Sequence, residues 1–141
     1  MARVTRPGGT VAAYIWDYAG KMEMIRCFFD AAVALDPAAA AAADEGSRFP
    51  ICNPEGLTAL FTSAGLHEVA TLGIDVPTHF RDFDDYWMPF LAGTGVAPAY
   101  AMSLSNPKRA ALRERIKASL PVQPDGSIRL IARAWAVRGT T

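Results

Sequence analysis

Seven consecutive uncharged residues, Thr10 to Trp16 (TVAAYIW), follow directly on the turn signal Arg6-Pro7-Gly8-Gly9 and stop at Asp17. Proline fixes one backbone torsion and glycine permits positive φ, so the chain reverses before the run begins. A continuous apolar run of this length, rich in β-formers, predicts a strand buried on both faces, as in a parallel sheet. That segment makes a strand the first element of the chain.

Helical periodicity follows. Lys21 to Leu35 carries Met24, Ile25, Phe28, Ala32 and Leu35 on one face. Pro37 interrupts it, and Ala38 to Ala43 has the propensity for a second short helix. Gly46 to Pro54 reads as an ordered loop. Asn53-Pro54 supplies an N-cap with proline at the first helical position, Gly65 a C-terminal stop, and Leu57, Leu60 and Phe61 a buried face. His67 to Val76 alternates as a second strand. Asp82 caps a helix from Phe83 to Leu91, Gly93 to Pro98 forms a loop, and Ala99 to Leu104 makes a helical turn or two. Asn106-Pro107 opens a helix through about Ser119, Pro121 to Gly126 turns, and Ile128 to Val137 is a third strand. The long helical crossover between the first two strands suits a parallel, right-handed connection. The result is a layered α/β domain with only three strands and at least one raw sheet edge.

Charge and cysteine content exclude several classes. Lysine plus arginine and aspartate plus glutamate both number 14 among 141 residues, which leaves no excess of positive charge to displace counterions from a nucleic acid. The densest basic stretch, Lys108, Arg109, Arg113, Arg115 and Lys117, fits a solvated helix face. Cys27 and Cys52 make neither a disulfide framework nor a zinc quartet, and read as buried or half-buried free thiols. No run reaches the length of a membrane span, and the arginines and apolar residues at the start are broken by Pro7, Gly8 and Gly9, so a cytoplasmic location is expected.

His79, Asp82, Asp84 and Asp85 match neither a calcium-loop nor a zinc spacing, and read as a helix cap followed by first-turn acids. No serine elbow is present, and no cysteine stands beside an evident base, which removes hydrolase readings.

Several segments together resemble class I S-adenosylmethionine-dependent methyltransferases. Arg3-Val4-Thr5-Arg6-Pro7-Gly8-Gly9-Thr10-Val11 is similar to the turn leading into that family's fifth strand, which often ends in Trp-Asp as at Trp16-Asp17. Asn53 to Ala70 (NPEGLTALFTSAGLHEVA) resembles its following helix and sixth strand. Phe83 to Gly95 (FDDYWMPFLAGTG), Ala97-Pro98-Ala99-Tyr100 and Ala132 to Gly139 (ARAWAVRG) resemble the lid insertion and last strand of a bacterial subgroup. The likeness extends over essentially the whole chain.

It implies that the chain is one domain forming the C-terminal half of a seven-stranded sheet of order 3-2-1-4-5-7-6. The three strands here would be equivalent to strands 5, 6 and 7, the last central and antiparallel, with a helical insertion over about 82–120. Arg129 and Arg133 on that last strand then need solvent or a carboxylate partner. The resemblance also implies that Trp16, Asp17, Tyr86, Trp87, Phe90 and Tyr100 wall the pocket for a small-molecule methyl acceptor. Trp87 and Phe90 read more simply as core residues of an amphipathic helix.

The family's cofactor rests on a glycine-rich loop after its first strand and an acidic residue after its second, physics shared with dinucleotide sites. No strand here is followed by such a loop. Gly93-Thr94-Gly95 is the one G-x-G, after a helical pattern, and reads as a chain reversal. No S-adenosylmethionine is therefore expected on this chain alone, and three readings follow. They are a methyltransferase half inactive by itself, an enzyme completed by a second chain, and a non-catalytic small-molecule or protein interaction module on the same half-fold. A strand without its neighbour exposes backbone groups and apolar surface, which predicts a homodimer covering the edge of residues 10–16 by strand pairing or helix packing.

Overall fold

The computed structural model describes residues 1–92 and 94–141. Three strands form one sheet: β1 (Thr10–Trp16), β2 (His67–Phe80) and β3 (Ile128–Thr140). Their order is β1-β3-β2, and β3 is antiparallel to both neighbours. The last strand is thus central. β1 and β2 run in the same direction but are not neighbours, so the crossover between them makes no parallel ladder and the sheet is antiparallel throughout.

The helices are α1 (Glu23–Leu35), α2 (Pro37–Ala43), α3 (Glu45–Arg48), α4 (Pro54–Ser63), α5 (Phe83–Trp87), α6 (Val96–Ser103) and α7 (Asn106–Ser119). A 3-10 turn, Met88–Leu91, follows α5, because Pro89 cannot donate to an α-helical ladder. Side-chain caps set several helix starts: Asp36 accepts from Ala39 N, Asn53 from Gly56 N, and Asp82 from Asp85 N. Several expected boundaries shift: β2 runs on to Phe80 and β3 to Thr140, α1 starts at Glu23, and α5 gives way to the 3-10 turn after Trp87. The segment after Gly46 contains α3 rather than loop alone. α6 begins at Val96, so Pro98 stands in a first helical turn, where a missing N–H costs nothing. α7 is preceded by Ser105 at its N-cap, with Asn106 already helical.

Two cores flank the sheet. The larger joins Phe28, Phe29 and Ala32 of α1 to Tyr86, Trp87, Phe90, Tyr100, Leu112 and Ile116, and reaches the sheet at Phe80, Ile128 and Leu130. The smaller seats Leu57 and Phe61 of α4, with Leu66, on Val11 and Val137.

The expectation that β1 is buried on both faces is not met. Val11 is buried beneath α4, whereas Ala12 and Tyr14 on the other face are exposed, Tyr14 at 77%. The cause is position: β1 is an edge strand, and no helix of the described residues packs on its second face.

Candidate functional site

The register aligns side chains of one sheet face in rows across the three strands: Ala12, Arg138 and Ala70; Tyr14, Ala136 and Leu72; Trp16, Ala134 and Ile74. Alanines on β3 make a floor, and larger side chains on β1 and β2 make walls. The outcome is an apolar groove of 560 Å³ with Arg138 at one end. Leu72 is 67% exposed, and Ile74 and Val76 are also exposed, unusual for aliphatic residues on one contiguous surface.

The opposite face is organised around Arg133. Its guanidinium holds both carboxylate oxygens of Asp75, one at 2.8 Å from Nη2, and lies over the Trp135 ring. Asp75 therefore supplies the carboxylate partner that Arg133 needs, and Arg129 is exposed. The arginine's hydrogen bond, the first cause, holds the Asp75 carboxyl below its ordinary value. Gly73 makes room here: a Cβ on it would meet the Trp135 ring at 3.1 Å and Arg133 Nε at 3.3 Å. Trp135 Nε1 is buried without a partner among the described residues.

A second concavity, of 130 Å³, lies between α1, α6 and α7. Ala32, Leu35, Leu104 and Leu112 line it, with Tyr100 on one wall. Asp36 and Lys108 stand beside it, Oδ2 to Nζ 3.8 Å. Burial foremost, and the Asp36 charge in addition, push the Tyr100 phenol above its ordinary value.

The residues implied as acceptor-pocket walls separate into three environments. Tyr86, Trp87 and Phe90 come together as a buried cluster. Tyr86 stacks edge-on against Phe80, Phe90 lies against Phe28, and the Tyr86 hydroxyl donates to Met24 O at 2.8 Å. Tyr100 joins that cluster through Phe28 and Phe29 and also lines the smaller cavity. Trp16 ends β1 on the groove face, partly exposed. Asp17 is buried, and its carboxylate accepts from Gly20 N at 3.1 Å and Lys21 N at 2.9 Å, closing the turn into α1. A Cβ on Gly20 would fall 2.5 Å from that carboxylate, so the turn needs glycine there.

Of the G-x-G run, Gly93 lies outside the described residues. Gly95, at φ 94°, is the N-cap of α6 and follows a 3-10 turn rather than a strand. Asp82 caps α5, Asp85 accepts from Arg81, and Asp84 pairs with Arg113. Among the described residues no His, Cys, Asp and Glu grouping could hold a metal ion. The basic residues of α7 are partly spent within the fold: Arg109 donates to Ala101 O and Leu104 O, and Arg113 lies over the Phe83 ring. Cys27 is half-buried and Cys52 buried, both free thiols raised above their ordinary value chiefly by burial. No described helix is long and apolar enough to cross a membrane.

Both concavities escape single-sequence reasoning. The groove depends on which strands are neighbours, and the cavity on how three distant helices meet. No known family model matches the chain, and no curated protein shows significant similarity to it.

Proposed function

We propose that this chain is the C-terminal sheet-and-lid half of a class I S-adenosylmethionine-dependent methyltransferase-like fold, inactive in methyl transfer by itself. The observation that carries the reading is the strand order β1-β3-β2 with the last strand central and antiparallel to both. The resemblance implies that arrangement for strands 5, 7 and 6 of such a sheet. Among the described residues β1 pairs with β3 alone, so its outer side is the place where the resemblance puts a fourth, parallel strand. The helices lie on both faces of the sheet, α4 on one and α1 with α5, α6 and α7 on the other.

Methyl transfer from a sulfonium chiefly requires that donor and acceptor be held in line, since the leaving group is already activated. This chain's part in such a reaction is the acceptor side, through Trp16, Tyr100 and the helical layer. On this reading the cofactor cradle is not part of these 141 residues. Titration calorimetry with S-adenosylmethionine tests this: the isolated chain gives no saturable heat at micromolar ligand. Binding in that range would overturn the reading.

A second reading, a dimeric interaction module without catalysis, is favoured by the alanine-floored groove and the bare edge of β1. Both are surfaces suited to a macromolecular partner, and a homodimer covering the edge of residues 10–16 is the form it takes.

A further inference from the structure

We propose that the cavity between α1, α6 and α7 is a binding site for a small zwitterion with a compact apolar body, of the class of hydrophobic α-amino acids. The inference does not depend on the methyltransferase reading.

Size comes first. At 130 Å³ the cavity approaches the roughly 150 Å³ void that accepts a benzene molecule, so it takes one branched aliphatic group or a small ring. Its lining is aliphatic on α1 and α7, through Ala32 and Leu112, and it opens to solvent past Leu35, which is 45% exposed at the end of α1. A leucine left that open gains by being covered.

Charge sets the rest. Asp36 and Lys108 are 3.8 Å apart, well beyond the roughly 2.7–2.9 Å of a tight charge-assisted hydrogen bond. Each therefore keeps capacity for a ligand group of opposite sign. The carboxylate is also fixed in place, because Asp36 Oδ1 caps α2 by accepting from Ala39 N, leaving Oδ2 towards Lys108. A ligand ammonium against Asp36 and a ligand carboxylate against Lys108 would place the side chain of an α-amino acid over the apolar floor. A purely apolar ligand would leave both charges unused, and a simple anion would face the Asp36 carboxylate.

The test is an amide-shift titration of the full chain by heteronuclear NMR with L-leucine, 3-methylbutylamine and 4-methylpentanoate as separate probes. L-Leucine gives saturable shifts confined to the end of α1 and to α6 and α7, with a dissociation constant on the order of 1 mM. The two half-probes bind at least about tenfold more weakly. Ala111 is exposed, so Ala111→Leu fills the cavity from its rim and abolishes the shifts. Lys108→Ala reduces L-leucine to the affinity of the amine. The proposal is overturned if L-leucine produces no localised saturable shift by about 10 mM, if the amine binds as tightly as L-leucine, or if Ala111→Leu binds unchanged. Should Ala111→Leu fail to fold, Lys108→Ala decides alone, and unaltered L-leucine binding by it overturns the assignment.

Discussion

Arg26 and Asp44 meet in a bidentate ion pair, Nη1 2.8 Å from Oδ1 and Nη2 2.9 Å from Oδ2, with side chains only 13% and 8% exposed. The same guanidinium donates to Tyr18 O, and Asp44 Oδ1 also accepts from Gly46 N. One arginine thus ties α1 to the α2–α3 junction and to the chain leaving β1. Removing Arg26 leaves the Asp44 carboxylate buried without its charge partner, a cost of about 3–5 kcal/mol, whereas removing Asp44 leaves Arg26 its exposed partner Asp30 at 3.2 Å. Arg26→Ala is expected to lose roughly that much in urea denaturation, and Asp44→Ala less. The double variant Arg26→Met with Asp44→Leu should lose much less than the sum. Additive losses would mean that the two residues are not coupled.

The Asp75–Arg133 pair joins β2 to β3 near solvent, and it carries an acid dependence. Asp75 is held below its ordinary value of 3.8 first by the hydrogen bond from Arg133. A depressed folded-state value gives stability that is present above the unfolded-state value and is lost as pH falls through the folded one. Asp85, bonded by Arg81, and Asp125, bonded by Ser127, shift in the same direction and act alike. Denaturation midpoints should therefore fall as pH drops below 3.8. Asp75→Asn should flatten that fall while leaving its remainder to the other two carboxylates. An unchanged acid slope in Asp75→Asn would show that this pair contributes nothing.

Tyr86 tests the helical core. It is fully buried, and its hydroxyl bonds the Met24 carbonyl at 2.8 Å. Tyr86→Phe keeps the ring packing and removes only that bond, a loss of about 0.5–1.5 kcal/mol in thermal or urea unfolding, since the Met24 carbonyl lies within α1 and keeps its helical acceptor role. A variant as stable as the parent would mean that the hydroxyl bond makes no net contribution.

The fold was legible where punctuation is local. Pro7, Gly8 and Gly9 before β1 and Asp17 after it fix both ends of that strand, and Asn53-Pro54 fixes the start of α4. Elsewhere tertiary position overrode local signals. Pro77 would ordinarily end β2, yet the strand continues to Phe80, because β2 is at an edge where an absent N–H is tolerated. Pro98 suggested a loop and instead sits in the first turn of α6. For the site, the resemblance offered Trp16, Tyr86, Trp87, Phe90 and Tyr100 alike, and no local signal told them apart. That Tyr100 also lines the small cavity was not legible, since an apolar helical face reads the same whether it meets a core or a pocket.

The edge of β1 gives the last prediction. Asp17 N donates to Arg133 O and Gly9 O accepts from Thr141 N, so the odd-numbered residues of this stretch face β3. By antiparallel alternation, Thr10, Ala12, Tyr14 and Trp16 direct their N–H and C=O groups outward. The strand carries no lysine, proline or bulge that would guard such an edge. A second copy pairing antiparallel about Ala13 would set Tyr14 opposite Ala12 and Trp16 opposite Thr10, large against small at each outward position. Sedimentation at tens of micromolar, a range suited to interfaces of ordinary strength, should give about twice the chain mass. Tyr14→Lys should weaken the dimer at least about tenfold by putting a solvated charge at its centre. Tyr14 is mostly exposed, so the substitution should leave the unfolding transition of the single chain unchanged. A parent chain that sediments as a monomer would remove strand pairing as the means by which this edge is covered.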